Sequence, residues 1–347
     1  MKRILLVGGG HAHLAVLRSL LKEPLQGARF ALVSPRARQI YSGMLPGIIA
    51  GHYRRPEAEI DLARLADAAG AEFIEGEVAK LDHEGKLAVL QEGSELEYDL
   101  LSLNVGSLVE RSIPGAGFAL AAKPFEPFFD KLTTVKLNRV AIAGAGAAGV
   151  ELAMALRYRG AAVTLYSEQA QPSPPRAARV LRGMGVDLRP GMAVSAIERG
   201  PLVLAGASRQ EFDVVILTTG ARPLPWLRGG RLARDERGFL LVDDTLQSVS
   251  HPDVYAAGDC ATLRSGPVPK SGVYALRQGE ALALNFRRLA RGEPALAYRP
   301  QRHALLLLSC GRRYAIAERG PWSAEGRWVW WWKNRIDRAW VKSLTVV

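Results

Sequence analysis

Apolar residues at the start of the chain follow a strand, turn and helix pattern. A short apolar run at Arg3–Val7 has strand length and leads directly into Gly8–Gly10. Apolar residues then recur at helical spacing, at Leu14, Val16, Leu17, Leu20 and Leu21. Another apolar run at Phe30–Val33 predicts the next strand, so the segment predicts a strand, turn, helix, strand unit.

The same pattern returns in the middle of the chain. The strand-like run Val140–Ala143 leads into a glycine-rich turn at 144–149, and Val150–Tyr158 has helical spacing. Ala162–Tyr166 then predicts a further strand. Two such units indicate an α/β protein with parallel sheets, and a chain of 347 residues is long enough for two domains.

The remaining predicted elements are less regular. In chain order they are a loop at Ser34–Gly47, a helix near Ile60–Ala69, strands at Glu72–Val78, Leu87–Leu90, Leu100–Leu103, Val203–Leu204, Val214–Leu217 and Val254–Ala257, and a helix from near Ser271.

Composition and charge limit the partners and the cellular location that we expect for the protein. A formal net charge of +12 favours an anionic ligand or an acidic membrane surface. Nucleic acid is the least expected partner, because the charge is spread along the chain.

The apolar runs fall far short of the roughly 20 residues of a membrane helix, and MKRILLVGGG predicts a first strand and no signal peptide. Only two cysteines occur, Cys260 and Cys310, without a C-x-x-C pair, so a reducing cytoplasm and no metal site are expected.

Both glycine turns have the residue types that a dinucleotide pyrophosphate requires. Phosphate oxygens need backbone N–H donors at close range and a helix N-terminus directed at them, where a Cβ would block the approach. Gly8-x-Gly10 and Gly144-x-Gly146-x-x-Gly149 each lie between a strand and a helix. In the first turn His13 stands where the third glycine is usual. His11 and His13 either bond the ligand or are simply packed.

The residue at the end of the second strand of each unit is expected to contact the adenosine ribose of the dinucleotide. An acidic residue usually binds the ribose there, yet Ser34 occupies this place in the first unit, with Pro35 and Arg36 beside it. In the second unit Glu168 follows Ser167, which favours NAD(H) over NADP(H) and leaves both open.

Three further segments carry a family resemblance. They are Tyr98–Ser107, which contains Gly106, Phe212–Ala221, which contains Gly220, and Val254–Asp259, which ends in a Gly-Asp pair. Together with the two glycine turns, they resemble the pyridine nucleotide oxidoreductases that bind two dinucleotides.

The resemblance implies an α/β fold of two Rossmann-like three-layer domains, with the NAD(P) domain inserted into the FAD domain. The expected bounds are 1–112 and 240–300 for the FAD domain, 113–239 for the NAD(P) domain, and 301–347 for a Trp-rich strand and helix appendage.

The resemblance also implies the residues that hold each cofactor. Those expected at FAD are Gly8, Gly10, His11, Ala12, His13, Ser34, Pro35, Arg36, Val78, Gly106, Gly258, Asp259, Ser271, Gly272 and Val273. Those expected at NAD(H) or NADP(H) are Gly144, Gly146, Ala147, Gly149, Glu168 and Gly220. The helix that starts at Ser271 would place its positive dipole end under the flavin.

Departures from the relatives refine the expected chemistry. Disulfide reductases of this superfamily carry a redox cysteine pair where this chain has Tyr41–Gly47, so no thiol relay is expected. The chain resembles type II NADH dehydrogenases and, more closely, a flavoprotein module fused to some selenophosphate synthetases. Glu151 either faces nicotinamide and flavin, as in similar enzymes, or complements the helix dipole. Lys123 and Lys270 are possible cofactor partners, although a surface position is the default for Lys123.

Six of the seven tryptophans lie in the tail. Trp328–Trp332 is predicted to be a strand. The four residues predicted to line one face of a following helix are Trp332, Ile336, Trp340 and Leu344. Arg338 and Lys342 are expected to face away, so the helix either lies on an anionic membrane, where a quinone is reached, or packs on the FAD domain or on a homodimer partner.

The expected reaction is hydride transfer from NAD(P)H to FAD, followed by electron transfer to an unidentified acceptor, a quinone or a small molecule. The alternative is an FAD-binding protein of sensing or structural type that has lost nicotinamide use. The expected location is the cytoplasm, with possible peripheral contact at the inner face of the membrane.

Overall fold

The computed structural model describes residues 1–200, 202–206 and 208–346. Two five-stranded parallel sheets accompanied by helices form its framework and confirm the predicted α/β fold. The elements of the first stretch are β1 (Lys2–Val7), α1 (His11–Lys22), β2 (Ala28–Ser34), β3 (Arg38–Ile40), α2 (Leu45–Ile49), β4 (Glu59–Asp61), α3 (Leu62–Ala68), β5 (Ala71–Glu75), β6 (Val78–Asp82), β7 (Leu87–Leu90), β8 (Glu95–Glu97), β9 (Leu100–Leu103) and β10 (Leu108–Val109).

The middle stretch forms the second sheet, in the order β11-β18-β12-β13-β14. Its elements are β11 (Leu120–Ala121), α4 (Phe125–Leu132), β12 (Arg139–Ala143), α5 (Ala147–Tyr158), β13 (Ala162–Ser167), α6 (Ala177–Gly183), β14 (Asp187–Pro190), β15 (Ala196–Glu198), β16 (Leu202–Ala205), β17 (Ser208–Glu211), β18 (Val214–Leu217) and β19 (Ala221–Arg222).

The last stretch returns to the first sheet before forming the tail. Its elements are β20 (Leu240–Val242), β21 (Val254–Ala256), β22 (Ala261–Leu263), α7 (Gly272–Ala290), β23 (Leu306–Ser309), β24 (Ala315–Arg319), β25 (Trp322–Gly326) and α8 (Arg327–Lys342). The first sheet has the order β21-β9-β1-β2-β5, and β21 pairs parallel to β9 with Val254 opposite Leu101. A strand from beyond the middle stretch therefore completes the first sheet.

The chain crosses between the two sheets twice, and the crossings pair with each other. β10 and β19 form a short antiparallel ladder with Leu108 opposite Arg222. Each sheet has its own apolar core, and α8 contributes to both: Val329 and Trp330 pack in the core of the second sheet, whereas Trp340 packs in that of the first. The tail therefore joins the two units.

Two predicted elements of the first unit have different structures. The predicted loop at 34–47 contains β3, which pairs with β4, and the start of α2, because Met44 and Leu45 are buried. The predicted strand at 72–78 is two strands: β5 ends before Gly76, and β6 begins a separate antiparallel hairpin. Apolar content alone could not show that the chain leaves the parallel sheet there.

The predicted strand at 328–332 is wrong, because these residues form the first turns of α8. The strand in this region is β25, and it ends at Gly326, whose φ of +143° favours glycine. Val329 and Trp330 are buried while Trp328 and Trp331 are exposed, which is a helical rather than an alternating pattern.

The predicted apolar face of this helix is only partly correct. Each step of four residues advances about 40° around a helix, so a stripe at that spacing rotates. Trp332 and Ile336 are 37% and 40% exposed, whereas Trp340 and Leu344 are buried. One end of the stripe therefore faces solvent and the other end packs on the protein.

Helices α1 and α7 cross at closest approach beside Gly279. A Cβ at this position would lie 2.2 Å from the carbonyl oxygen of Ala12. We expect Gly279→Ala to lower the free energy of unfolding by about 1–3 kcal/mol, because the helices must separate. Urea denaturation would measure the loss. Gly183→Ala in α6 is the matched control, since no atom lies within 4 Å of its added Cβ, and equal effects in both variants would contradict this packing argument.

Candidate functional site

The first glycine turn is pressed against the residue that follows β9. Gly8 has φ +94°, and a Cβ there would lie 2.6 Å from the carbonyl oxygen of Asn104. A Cβ on Gly10 would lie 2.2 Å from Asn104 Oδ1. Both positions therefore require glycine, and the turn packs its backbone closely against Asn104 at the start of α1.

Asn104 is a site residue that sequence reasoning missed. Its Oδ1 accepts a hydrogen bond from the Ala12 N–H at 2.9 Å, and its Nδ2 donates to the Ala257 carbonyl at 2.7 Å. The amide thus joins the first turn of α1 to the segment that follows β21. Its position in the sequence, just after a buried strand and two residues before Gly106, could have indicated that Asn104 belongs to the site.

The two histidines of this turn have different roles. The His13 ring is fully buried, with Nδ1 at 2.7 Å from the Gly8 carbonyl and Nε2 at 2.8 Å from Ser102 Oγ. Burial lowers the pKa of His13 to about 4, so the ring is neutral at pH 7 and supports the turn from inside the protein.

His11 lies on the open side of the turn. Its Nε2 is 3.0 Å from the point where a Gly272 Cβ would stand, and its ring centroid is 5.5 Å from that of Tyr41. Burial lowers the pKa of His11, opposed by the charge of Asp259. The imidazole is therefore placed between the glycine turn and the start of α7.

The Gly258-Asp259 pair meets the same edge. Gly258 has φ +73°, and a Cβ there would lie 2.5 Å from Asn104 Nδ2. The Gly258 N–H donates to Gln278 Oε1 at 2.6 Å, which adds a second amide that the sequence motifs did not indicate. Ser271 makes no side-chain cap of α7, so Gly272 and Val273 begin that helix with its N-terminus open to a ligand.

Asp259 is bonded across the site. Its Oδ2 accepts from Lys123 Nζ at 2.6 Å and from Ser107 Oγ at 3.2 Å. Burial opposes ionisation of Asp259, but Lys123, the hydrogen bond from Ser107 and the charge of Lys270 together outweigh it, and the pKa of the carboxyl lies below its ordinary value. The surface position expected for Lys123 is therefore wrong. Lys270 instead donates to the Ala261 carbonyl.

The other residues expected at FAD line the carboxyl edge of the first sheet. Ser34 is buried at the end of β2, whereas Pro35 and Arg36 are exposed, and Arg36 Nη1 lies 3.4 Å from Asp130 Oδ2. Val78 is buried at the start of β6, and Gly106 has φ +70°.

The second glycine turn repeats the geometry of the first with a different partner. A Cβ on Gly144 would lie 2.6 Å from the Thr218 carbonyl, and one on Gly149 would lie 1.9 Å from the Gly144 carbonyl. Thr218 Oγ1 donates to the Gly144 carbonyl at 2.7 Å. Gly146 precedes Ala147, the first residue of α5, and has no atom within 4 Å of its Cβ position.

Glu168 and Gly220 stand at neighbouring strand ends of this unit. Glu168 is exposed directly after β13, where its carboxylate is accessible to a ribose. The Gly220 carbonyl accepts from the Glu110 N–H at 2.7 Å. Both positions belong to the same carboxyl edge as the second glycine turn.

Glu151 turns toward the tail of the chain. Its Oε1 accepts from the Ser309 N–H at 2.7 Å, and the first turn of α5 contains no acidic residue, so the dipole interpretation has no support. Burial raises the pKa of Glu151 to about 7, against the opposing charge of Lys333. The carboxyl is therefore close to half protonated at neutral pH.

A buried ion pair lies beside Glu151. Lys333 Nζ is 2.6 Å from Asp337 Oδ2 and donates to the Gly43 carbonyl at 2.7 Å, and Tyr41 Oη lies 3.5 Å from Asp337 Oδ1. Helix α8 is thereby attached to the segment at 41–47. The spacing of a lysine and an aspartate four residues apart was visible in the sequence, but their burial was not.

Both cysteines are free and buried. Burial raises the pKa of Cys260 to about 11 and that of Cys310 to about 12. Cys260 Sγ donates to the Ala257 carbonyl at 3.2 Å. Both thiols therefore stay protonated at neutral pH.

The comparisons with known proteins agree with this geometry. The profile of the pyridine nucleotide-disulphide oxidoreductases matches residues 2–279. The chain belongs to this family. The resemblance inferred from the motifs is thus confirmed, while the association with selenophosphate synthetases stays a prediction.

Relatives within the family are distant. The chain is 28% identical over 289 residues to an NADH oxidase of Lactococcus lactis subsp. cremoris, covering 76% of this chain and 64% of that enzyme. It is 26% identical over 364 residues to the alternative NAD(P)H-ubiquinone oxidoreductase C1 of Arabidopsis thaliana, covering 86% and 69%. The chain thus spans less than two thirds of the Lactococcus enzyme.

A solved structure shows the same fold. The sulfide:quinone oxidoreductase of Aquifex aeolicus superposes with a TM-score of 0.83 at 17% identity, covering 99% of this chain and 91% of that one. At this identity the likeness concerns the fold alone.

The raised pKa of Glu151 predicts a pH-dependent stability for this family member. The folded protein favours the protonated carboxyl, so its ionisation costs stability as pH rises from about 4.5 to about 7. Glu151→Gln mimics the protonated form, so we expect it to exceed the free energy of unfolding of the wild type by less than about 1 kcal/mol at pH 5 and by up to about 3 kcal/mol at pH 8.

Urea titrations at several pH values would measure this difference. Glu95→Gln changes an exposed glutamate and is the control, for which a flat difference is expected. A difference for Glu151→Gln that does not change between pH 5 and 8 would contradict the raised pKa.

Proposed function

We propose that this protein is an FAD-dependent oxidoreductase that takes reducing equivalents from NAD(P)H and delivers them to a quinone or a small molecule. The observation that carries the proposal is the pair of glycine turns, each leading directly into a helix whose N-cap glycine makes no side-chain hydrogen bond. At the first turn, Gly258-Asp259 arrives from beyond the second unit and meets the same amide, Asn104.

The first site fits FAD. Gly8, Gly10 and Gly258 all pack against Asn104, because an added Cβ on each would collide with it. This packing brings the glycine turn and the Gly258-Asp259 pair together at the N-terminus of α1, where a pyrophosphate binds favourably. The uncapped start of α7 adds a positive helix end near His11, suited to negative charge on a flavin ring. The chemistry that FAD supplies when bound is acceptance of a hydride and release of two electrons to a second substrate.

The second site fits a nicotinamide dinucleotide. Gly144 and Gly149 are forced to be glycine by backbone contacts, and Gly146 leaves the start of α5 open. Exposed Glu168 favours the free ribose 2′-hydroxyl of NAD(H) over the phosphate of NADP(H). Glu151, with a pKa near 7, is able to hold or release a proton at neutral pH.

The proposal includes no redox disulfide. The segment at 41–47 contains no cysteine, and both cysteines of the chain carry raised pKa values that disfavour the nucleophilic thiolate. Electrons would therefore leave directly to the acceptor, on the side that α8 closes through the Lys333–Asp337 pair.

Anaerobic reduction tests the proposal. We expect the purified protein to be yellow and its absorption near 450 nm, characteristic of oxidised flavin, to bleach within seconds on addition of NADH. Stopped-flow absorbance would measure the rate, with NADPH as the comparison. A yellow protein that neither nucleotide bleaches would favour the sensing or structural alternative, and a protein that binds no FAD would contradict the proposal altogether.

The exposed face of the tail supports peripheral contact with an anionic membrane, where a quinone is accessible. Trp328 and Trp331 are 56% and 53% exposed, and Trp332 and Ile336 extend the same apolar surface. Arg335 is exposed among them. Among the described residues no helix has the length and apolarity required to cross a bilayer. The proposed contact is interfacial, because the exposed apolar surface lies on one side of α8.

Changing two exposed tryptophans tests this contact. We expect Trp328→Ser with Trp331→Ser to reduce binding to phosphatidylglycerol vesicles at least about tenfold, because indole rings anchor at the lipid interface. Co-sedimentation would measure binding, and the flavin spectrum would confirm that the cofactor site is intact. Leu284→Ser on α7, 48% exposed, is the control. Unchanged vesicle binding, or a tail-dependent dimer in its place, would contradict membrane contact.

A further inference from the structure

Lys123 makes the shortest contact to the Asp259 carboxylate. Its Nζ lies 2.6 Å from Asp259 Oδ2 and 3.3 Å from Ser107 Oγ, and the Ser107 hydroxyl donates to the same Oδ2. The side chains of Lys123 and Asp259 are only 27% and 13% exposed. Partial burial makes this a stronger interaction than a surface ion pair.

These three residues come from three separate parts of the fold. Ser107 belongs to the first crossing between the sheets, and Asp259 follows β21 in the first sheet. Lys123 follows β11, which pairs with β18 in the second sheet. The contact therefore connects the nicotinamide unit to the carboxylate of the flavin unit.

The contact leaves one carboxylate oxygen available. Among the described residues, both side-chain hydrogen bonds to Asp259 end on Oδ2. Asp259 Oδ1 is not among the buried polar atoms that have no hydrogen-bond partner. Two donors on one oxygen hold the carboxylate in a single orientation. Oδ1 is thereby free to accept a hydrogen bond from a ligand hydroxyl.

We propose that Lys123 is a positioning residue of the FAD site, which holds Asp259 so that Oδ1 can accept a hydrogen bond from a hydroxyl of the cofactor, and which neutralises the charge of the carboxylate near the pyrophosphate. The inference rests on the proposed function, because it assumes that the first site binds FAD. An unpaired carboxylate near a diphosphate would repel it, and the lysine removes this cost. Because Lys123 belongs to the second unit, the position of that unit relative to the first contributes to FAD affinity.

The test is FAD binding by apo-protein, which does not depend on turnover. We expect Lys123→Met to raise the dissociation constant of FAD roughly 10- to 100-fold, as for loss of a charge-assisted hydrogen bond. Lys123→Arg should restore affinity to within about threefold of the wild type, because Arg keeps the charge and its donors. Lys131→Met in α4, an exposed lysine of the same unit, should change nothing.

A double-mutant cycle with Asp259→Asn shows whether Lys123 acts through the carboxylate. If it does, adding Lys123→Met to Asp259→Asn should weaken FAD binding by less than about threefold further. Fluorescence titration would measure each constant, and circular dichroism would confirm the fold. Lys123→Gln is the second variant, read in the same way if the methionine variant fails to fold.

Two results would overturn the inference: a dissociation constant for Lys123→Met within twofold of the wild type, or full additivity with Asp259→Asn. Either leaves FAD binding by the wild type in place. A wild-type apo-protein that binds no FAD is a different failure, since it contradicts the proposed function itself.

Discussion

The closure of the first sheet around its glycine turn depends on one side-chain amide. Asn104 Oδ1 accepts from the Ala12 N–H, and Asn104 Nδ2 donates to the Ala257 carbonyl. Ala12 lies 92 positions before Asn104 in the chain, and Ala257 lies 153 positions after it. An amide can serve both because it carries a donor and an acceptor on one planar group, which neither an aspartate nor a leucine offers. The glycines at positions 10 and 258 follow from this amide, since each must leave it room, whereas Gly8 leaves room for the backbone carbonyl of the same residue.

In the second unit, a threonine hydroxyl takes the place that the Asn104 amide has in the first unit. Thr218 follows β18 as Asn104 follows β9, and its hydroxyl donates to the Gly144 carbonyl. No distant strand has to be secured there, so a single hydroxyl on the neighbouring strand end suffices. The regular glycine spacing of the second unit agrees with this local closure. The first unit departs from that spacing at His13, whose buried ring fixes the turn from below through the Gly8 carbonyl.

The features that could be predicted from the sequence are those with local causes. Strand, glycine turn and helix follow one another within about twenty residues, and hydrophobic period together with glycine placement specifies them. The tail shows where prediction of secondary structure from local sequence fails. A run of aromatic residues satisfies strand propensity and helical packing alike, and only the positive φ of Gly326 together with the burial of Val329 and Trp330 decides for a helix.

Contacts between distant segments could not be predicted in this way. Lys123 appeared to be a surface residue because nothing within its own segment pairs with it, and its partner lies 136 positions away. Asn104 lies within the segment Tyr98–Ser107 and Gln278 lies in the helix that starts at Ser271, yet nothing in the sequence distinguished their amides from ordinary polar residues. Periodicity reports which face of an element is buried, but not which polar group meets it there.

The buried Lys333–Asp337 pair has a consequence for the whole tail. Desolvating both charges offsets most of their attraction, so such a pair adds little net stability, whereas breaking it leaves one charge buried and is costly. Lys333 also donates to the Gly43 carbonyl, and Tyr41 reaches Asp337, so a shift of α8 by one turn would strand both charges. The pair therefore specifies a single register for the helix. That register determines which tryptophans enter the two cores and which remain on the surface, so the exposed aromatic face has its orientation from the ion pair beneath it.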